Sequence, residues 1–173
     1  AITNTGLPIE IISTGLPDVF VPLVDGCLDS LTPNFAAISK LSQEFNTIGF
    51  HVFELCNEKS TVAQCRNFAP LYGINEESAT GSASGALGCY LVKHGITDSL
   101  TFSLEQGRAM GALSLIKVTI DSEQNIIHRV RVGGQASLEG TKKMTVSLSH
   151  TDDLQLSETW NQYISALPMS TRA

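Results

Sequence analysis

The run Ala79–Val92 contains no charged residue, although 16% of the chain's 173 residues are charged. Glycine and alanine recur through it, and it ends in the apolar sequence LGCYLV. A helix that is apolar on every side is buried on every side, and this one is shorter than the roughly 20 residues that cross a bilayer. Each helical glycine costs about 1 kcal/mol relative to alanine, so we expect other backbone to pass close by. We predict that Ser82–His94 is the most buried helix and is surrounded by strands.

The start of this predicted helix has the composition of a small binding site. Thr80, Gly81 and Ser82 suit a helix N-terminus. Free N–H groups and the positive end of the helix dipole favour anions there. Two carboxylates, Glu76 and Glu77, lie immediately upstream. The competing interpretation is a core helix with an ordinary cap, in which Thr80 or Ser82 occupies those N–H donors.

Composition narrows the classes of function. The net charge of −6 and the pI near 5.1 argue against nucleic acids and anionic membranes as partners. The four cysteines form no CxxC pair, and with the four histidines they form no metal-ligand cluster. We therefore expect no metal, reduced and mostly buried thiols, and a cytoplasmic location. There is no signal peptide or transmembrane run, and a start without methionine is compatible with a processed or truncated N-terminus.

Strands and two or three helices are expected in alternation along the chain. Thr32 and Pro33 predict the start of a one-sided helix that ends near Asn46. Trp160, Tyr163, Ile164 and Leu167 have helical spacing and predict a closing helix within Ser157–Leu167. The predicted strands are Pro8–Ser13, Asp18–Val24, Gly49–Leu55, Thr61–Phe68, Leu100–Glu105, Leu113–Ile120, Ile126–Val132 and Met144–Leu148, with a further short strand over Gln135–Glu139.

A wholly apolar helix in a sheet-rich chain needs cover on every side, which one flat sheet cannot give. We therefore predict an α+β fold in which mostly antiparallel strands form an incomplete β-barrel around one buried central helix. The length allows one domain, residues 1–173, with a sizeable core. A two-layer α+β sandwich is the alternative architecture.

A set of short motifs occurs in a fixed order over about 125 residues. The set consists of Ser13-Thr14-Gly15-x-Pro17, Arg66-x-Phe68-Ala69-Pro70, Gly73-Ile74, Ala79-Thr80-Gly81-Ser82-Ala83, Glu105-Gln106-Gly107, Met110-Gly111 and Val132-Gly133-Gly134. Together they resemble the PhzF-like phenazine-biosynthesis isomerase family, which has the diaminopimelate epimerase fold.

This resemblance implies a protein of two similar halves, each a sheet curled around a central helix, with the active site in the cleft between them. The family's characterised chemistry is cofactor-free isomerisation, in which a proton moves along a cyclic hydroxylated amino acid. The present chain matches only the C-terminal half. The family's principal acid/base glutamate and a histidine lie on the N-terminal half and have no counterpart here.

Carried over residue by residue, Gly81 and Ser82 match the family's substrate contacts, with Thr80 beside them. Glu77 stands where the family usually has an aspartate, and Ser78 replaces a proline. Glu77 is one methylene longer, and loss of the proline frees the backbone. Because proton transfer tolerates little misplacement, the departure is consistent with another substrate or reduced activity. Glu77 is the predicted catalytic residue of this half, and Glu76 is its competitor.

The remaining polar residues of the motifs have the following interpretations. Thr14 and Gly15 line the cleft or only form a turn. Gln106 and Arg108 are expected to face a ligand carboxylate, and for Arg108 a solvated turn is the alternative. Arg66 is expected to be structural, paired with a carboxylate or with backbone carbonyl groups. None of the four histidines is given a role.

Two hypotheses of function follow. In the first, the chain is the C-terminal half of an isomerase that acts on a small carboxylate-bearing substrate, and an N-terminal half completes it. In the second, it is a non-catalytic binding or self-assembling module of the same fold, for which a homodimer is expected. A second, different chain in the purified protein would favour the enzyme.

Overall fold

A computed structural model of the protein describes residues 3–56, 61–124, 126–138, 140, 141 and 143. The chain divides into two compact units, Ala1–Ala136 and Ser137–Ala173, and the described helices and strands all lie in the first. Domain assignment of residues 1–173 as one unit stays a prediction. The predicted strand Met144–Leu148 and the predicted closing helix lie outside the described residues.

The first unit contains eight described strands and two α-helices. In chain order they are β1 (Glu10–Ser13), β2 (Pro17–Leu23), α1 (Phe35–Phe45), β3 (Gly49–Leu55), β4 (Ala63–Ala69), β5 (Ile74–Glu77), α2 (Gly81–Lys93), β6 (Thr101–Gln106), β7 (Ser114–Glu123) and β8 (Ile126–Gly134). Short 3₁₀ turns cover Pro70–Tyr72 and Arg108–Met110. Among the described residues, no helix is long and apolar enough to cross a membrane.

The strands form one mixed sheet in the order β1-β2-β3-β4-β6-β7-β8, and β5 pairs with β4 outside this path. The pairs β2/β3 and β4/β6 are parallel, and the other described pairs are antiparallel. Parallel neighbours need a crossover connection, and α1 and α2 supply the two crossovers. The α+β class and the mostly antiparallel pairing agree with the sequence-based prediction.

The two helices cover different sets of side chains on the same strands. Val19, Val21 and Val52 belong to a cluster that also packs Phe35 and Ile38 of α1. Phe20 and Phe53, their neighbours along β2 and β3, belong to the cluster around α2. Because alternate strand residues point to opposite faces, α1 and α2 lie on opposite faces of the sheet.

Helix α2 begins and ends within one residue of the predicted span. Eight of its residues are buried: Ala83, Ser84, Gly85, Ala86, Leu87, Gly88, Tyr90 and Leu91. Cys89 and Val92 are half-buried, and Gly81 and Ser82 are exposed. Enclosure of α2 on every side, as in a barrel, therefore stays a prediction.

The glycines of α2 admit side chains of the sheet, where we had expected backbone. A Cβ built on Gly88 would lie 2.7 Å from Val118 Cγ1, and one on Gly85 would lie 3.0 Å from Val132 Cγ2. Both distances are shorter than ordinary van der Waals contact. The missing side chains thus let valines of β7 and β8 pack directly against the helix.

The structure differs from the sequence-based prediction in four places. Helix α1 is capped by Asn34, whose Oδ1 accepts the Ala37 N–H at 3.0 Å, and not by Thr32. Strand β5 was not predicted. Residues 135–138 of the predicted strand Gln135–Glu139 have no regular secondary structure. Only Cys65 of the four cysteines is buried, and the other three are half-buried.

Candidate active site

The N-terminus of α2 is held by a network that leaves its first N–H groups uncapped. Thr80 is the cap residue, but its side chain makes no capping hydrogen bond. The Thr80 hydroxyl instead donates to Glu77 Oε2 at 2.7 Å. Within the described residues, the N–H groups of Gly81, Ser82 and Ala83 have no hydrogen-bond partner, as expected for the first turn of a helix. The ordinary self-capped interpretation therefore does not describe this helix.

Gln106, at the end of β6, fixes the turn between Glu77 and Thr80. Its Nε2 donates to the Glu77 carbonyl oxygen at 2.6 Å and to Thr80 Oγ1 at 2.9 Å. Its Oε1 accepts the Thr80 N–H at 3.2 Å. The side chain is 1% exposed, so Gln106 orders the site from below and does not face a ligand.

The two candidate carboxylates, Glu76 and Glu77, point to opposite faces of the sheet because they are consecutive residues of a strand. Glu77 faces Thr80, whereas Glu76 forms two hydrogen bonds of 2.8 Å with Nε and Nη2 of Arg66. Arg66 Nη1 also donates to the carbonyl oxygens of Leu28 and Leu31. The structural role predicted for Arg66 is confirmed, and Glu77 is the carboxylate placed at the start of α2.

The predicted binding residues lie at the junction of two open grooves. Gly81 and Ser82, together with Thr14, line a groove of about 700 Å³ beside β8. Gly81 and Ala79 also line a groove of about 1090 Å³ along β7 and β8. Thr14 Oγ1 donates to the Ser82 carbonyl oxygen at 3.3 Å, which places Thr14 in the groove. Gly15 adopts a φ of +143°, which side chains rarely allow, so it serves the turn.

Arg108 does not reach this site. Its guanidinium bonds Asp29, with Nε–Oδ1 at 3.2 Å and Nη2–Oδ2 at 3.0 Å, and lies 3.7 Å from Glu54. Arg108 therefore pairs with carboxylates of the protein itself and is not free to face the carboxylate of a ligand. In the described part of the chain, no group of His, Cys, Asp and Glu side chains is arranged to hold a metal ion.

A polar set beneath the start of α2 was missed by the sequence analysis. Asp18, His51 and Asn67 are each at most 2% exposed. Asn67 is the unspecified residue of the Arg66-x-Phe68-Ala69-Pro70 motif, and Asp18 and His51 belong to none of the motifs. Asp18 and His51 do stand out as single polar residues within the apolar runs DVFVPL and GFHVF. A polar residue in a strand that is covered on both faces has no route to solvent, and that signal could have identified them.

Burial shifts the ionisation of this polar set. Loss of solvation raises the pKa of Asp18 to about 6, against an opposing hydrogen bond from the Gly49 backbone and with a smaller contribution from the Glu77 charge. Loss of solvation lowers the pKa of His51 to about 4, although the hydrogen bond to Asn67 opposes this. His51 is therefore a neutral imidazole near pH 7.

The chain is similar to known proteins over most of its length. A family model described as phenazine biosynthesis-like protein (PhzC-PhzF) matches residues 1–141. The chain is 37% identical over 136 residues to an uncharacterized isomerase, YddE, of Salmonella typhimurium, covering 76% of this chain and 46% of that protein. It is 32% identical to trans-2,3-dihydro-3-hydroxyanthranilate isomerase of Pseudomonas chlororaphis, covering 77% and 46%.

A solved structure is also similar to this chain. The PhzF-family phenazine biosynthesis protein of Bacillus anthracis superposes with a TM-score of 0.63 at 25% identity, covering 77% of this chain and 47% of that one. The chain thus spans about half the length of the relatives that it matches. Over that half, it belongs to the phenazine biosynthesis-like (PhzF) family.

Proposed function

We propose that this chain is the C-terminal half of a cofactor-independent isomerase. In this proposal, a small substrate with a carboxylate is held in a cleft between two halves while a proton is moved on it. The isomerase names of its relatives support the reaction class. Coverage of only 46% and 47% of their lengths supports the assignment to one half. The barrel-like enclosure of α2 by the sheet, typical of a diaminopimelate epimerase-like half, belongs to the same proposal.

One observation carries the proposal: the Thr80 hydroxyl is bonded to Glu77 and leaves the first turn of α2 uncapped. Free N–H groups at Gly81 and Ser82, with the helix dipole behind them, are suited to a substrate carboxylate. Glu77 precedes these N–H groups by only a few residues in the chain. In the proposal, its carboxylate positions the bound substrate or takes part in proton transfer. The principal acid/base belongs to the other half.

Exposed apolar side chains near the start of α2 support the binding of a partner chain there. Tyr72, just before β5, and Ile74, the first residue of β5, are 58% and 40% exposed. Met110 and Leu113 are 45% and 61% exposed, and their loop contacts Ser78 through Gly107. Large exposed apolar groups mark association surfaces. The occupant we propose is an N-terminal half chain, and a second copy of this chain is the alternative that suits a non-catalytic module.

The activity test uses a protein that contains both halves. Trans-2,3-dihydro-3-hydroxyanthranilate, the compound in one relative's name, is incubated in deuterated water, and deuterium incorporation is followed by mass spectrometry. Glu77→Gln should lower the exchange rate at least 100-fold, in line with the usual contribution of an acid/base group. Glu44→Gln, on an exposed position of α1, is the control. Exchange at the wild-type rate in Glu77→Gln would show that this half contributes binding alone.

The anion site is tested separately by sulfate titration. Ser82→Pro removes one N–H donor at a helix position that tolerates proline, whereas Ser82→Ala removes only the hydroxyl group. We expect Ser82→Pro to weaken sulfate binding roughly tenfold, the share of one charge-assisted hydrogen bond, and Ser82→Ala to leave it within twofold. Equal affinities for both variants would argue against backbone binding at this turn.

A further inference from the structure

The side-chain amide of Gln106 can lie in only one orientation against the turn before α2. Its oxygen and its nitrogen could exchange places by a half-turn about the last bond of the side chain, but two backbone groups decide between the two orientations. The Thr80 N–H, 3.2 Å from Oε1, can only donate. The Glu77 carbonyl oxygen, 2.6 Å from Nε2, can only accept. The half-turned amide would place donor against donor and acceptor against acceptor.

The orientation of Gln106 determines where the proton of the Thr80 hydroxyl group points. Nε2 lies 2.9 Å from Thr80 Oγ1 and can only donate, so Oγ1 accepts this hydrogen bond. Among the described residues, the hydroxyl proton then has one acceptor, Glu77 Oε2, at 2.7 Å. This distance is typical of a hydroxyl group that donates to an ionised carboxylate. A proton on Oε2 would leave the Thr80 proton without an acceptor in the protein.

The two oxygens of the Glu77 carboxylate are therefore not equivalent. Oε2 accepts the hydrogen bond from Thr80, whereas Oε1 has no hydrogen-bond partner within the described residues. Oε1 is also not one of the buried side-chain atoms that lack a partner, so it is accessible from outside the protein. Oε1 is the oxygen on which Glu77 can take up a proton without losing its bond to Thr80.

Thr80 is suited to hold Glu77 because it is the more rigid of the two side chains. A glutamate carboxylate rotates broadly about its last bond, whereas the branched Cβ of a threonine restricts its χ1 angle. Gln106, which also holds the Thr80 hydroxyl group, is itself buried. One oxygen of a flexible carboxylate is thus anchored, through Thr80, to a fixed group of the core.

We propose that Thr80 is the positioning residue of Glu77, where the sequence predicted a contact with the substrate. Its hydroxyl group holds Oε2 and leaves Oε1 as the atom through which Glu77 exchanges a proton with the substrate. The proton leaves a substrate bond whose electron pair stays on the substrate. Its return restores the carboxylate, so the isomerisation consumes no co-reactant. This catalytic consequence rests on the proposed function, but the hydrogen bond and the difference between the two oxygens do not.

The first test measures deuterium exchange in the protein that contains both halves. Thr80→Val removes only the hydroxyl group from a side chain of the same shape, and Thr80→Ser keeps the hydroxyl group. We expect Thr80→Val to lower kcat roughly tenfold, the effect of a slightly misplaced reacting group, with KM within twofold of wild type. Thr80→Ser should recover most of this loss. A raised KM with unchanged kcat would identify a substrate contact and overturn the proposal, as would a serine variant as slow as the valine variant.

A second comparison asks whether Thr80 acts through Glu77. In the Glu77→Gln protein, adding Thr80→Val should change the residual exchange rate by less than twofold, because the group that Thr80 positions is already lost. A further tenfold loss would show that Thr80 contributes independently of Glu77 and would overturn the proposal.

The third test needs no substrate, so its failure is distinguishable from failure of the proposed function. Urea unfolding of this chain gives a double-mutant cycle for Thr80→Val and Glu77→Met. A hydrogen bond to a charged group predicts a coupling of roughly tenfold in the unfolding equilibrium constant. Glu44→Met, on an exposed position of α1, is the control, and its coupling to Thr80→Val should stay within twofold. If the protein with both halves exchanges no deuterium, the proposed function fails and the cycle alone decides the Thr80–Glu77 bond. Coupling below twofold between Thr80 and Glu77 would overturn the proposal whatever the activity.

Discussion

Gln106 Nε2 lies 2.6 Å from the carbonyl oxygen of Glu77, so a residue at the end of β6 fixes the backbone just before α2. The same side chain bonds both the N–H and the hydroxyl group of Thr80. These contacts hold the Thr80 hydroxyl toward Glu77 and away from the capping position. The uncapped helix start is thus a consequence of the tertiary structure.

Replacement of Gln106 tests this relationship. Gln106→Leu leaves the Glu77 carbonyl group and the Thr80 N–H without partners, and we expect the free energy of unfolding to fall by about 3 kcal/mol. Gln64→Leu is the matched control. Gln64 is half-buried and makes one hydrogen bond of 3.4 Å with Glu105, so a loss below about 1 kcal/mol is expected. Urea denaturation measures both, and equal losses would contradict the assigned role of Gln106.

Sequence reasoning located α2 but could not see what holds its first turn. The charge-free run predicted the helix because its apolar composition is visible in that segment alone. Gln106 was visible only as part of a motif, since its partners depend on the position of β6 relative to the turn. Likewise, β5 has the sequence INEE, which has low strand propensity. It is a strand because it pairs with β4.

The charged pair Arg66–Glu76 should stabilise the fold through its burial. The two side chains are 8% and 15% exposed, and the arginine also bonds two carbonyl groups. Arg66→Met should lower the free energy of unfolding by about 3–5 kcal/mol, because Glu76 is left without its partner.

The control pair has similar geometry without burial. Arg131 forms two hydrogen bonds of 2.7 Å with Asp121, but the side chains are 53% and 43% exposed. Arg131→Met should therefore cost less than about 1 kcal/mol. Thermal or urea denaturation of the two variants gives the comparison. A similar loss in both would mean that burial does not determine the strength of these pairs.

Packing against α2 makes Gly88 sensitive to one added methyl group. A Cβ at this position meets Val118 at 2.7 Å, and Val118 is completely buried. Overpacking costs about 1–3 kcal/mol and exceeds the gain of up to about 1 kcal/mol from better helix propensity. We expect Gly88→Ala to be destabilised by about 1–2 kcal/mol.

Two further variants check the cause. In Gly81→Ala the nearest atom is Val132 Cγ1 at 3.7 Å, an ordinary contact, so its stability should be unchanged or slightly raised. Val118→Ala removes the crowded side chain, and the double variant with Gly88→Ala should lose less stability than the two single losses combined. Strict additivity would exclude the Gly88–Val118 contact as the source.

The stability of the fold should depend on pH through His51. Its folded pKa is lowered to about 4 from 6.5, so the unfolded chain binds a proton first as pH falls. Stability from neutral His51 is complete above pH 6.5 and is lost between 6.5 and 4. Linkage puts this loss on the order of 3 kcal/mol.

His51→Gln is the variant that isolates this effect, because glutamine keeps one donor for Asn67 but does not titrate. Both proteins retain Asp18, whose opposite pH dependence cancels to a first approximation in the difference. The free energy of unfolding of the variant should therefore rise relative to that of wild type as pH falls from 6.5 to 4. His128→Gln, at an exposed position of β8, is the control, and its urea stability curve should run parallel to that of wild type. If the curve of His51→Gln also runs parallel to that of wild type, burial does not lower the pKa of His51 in the folded protein.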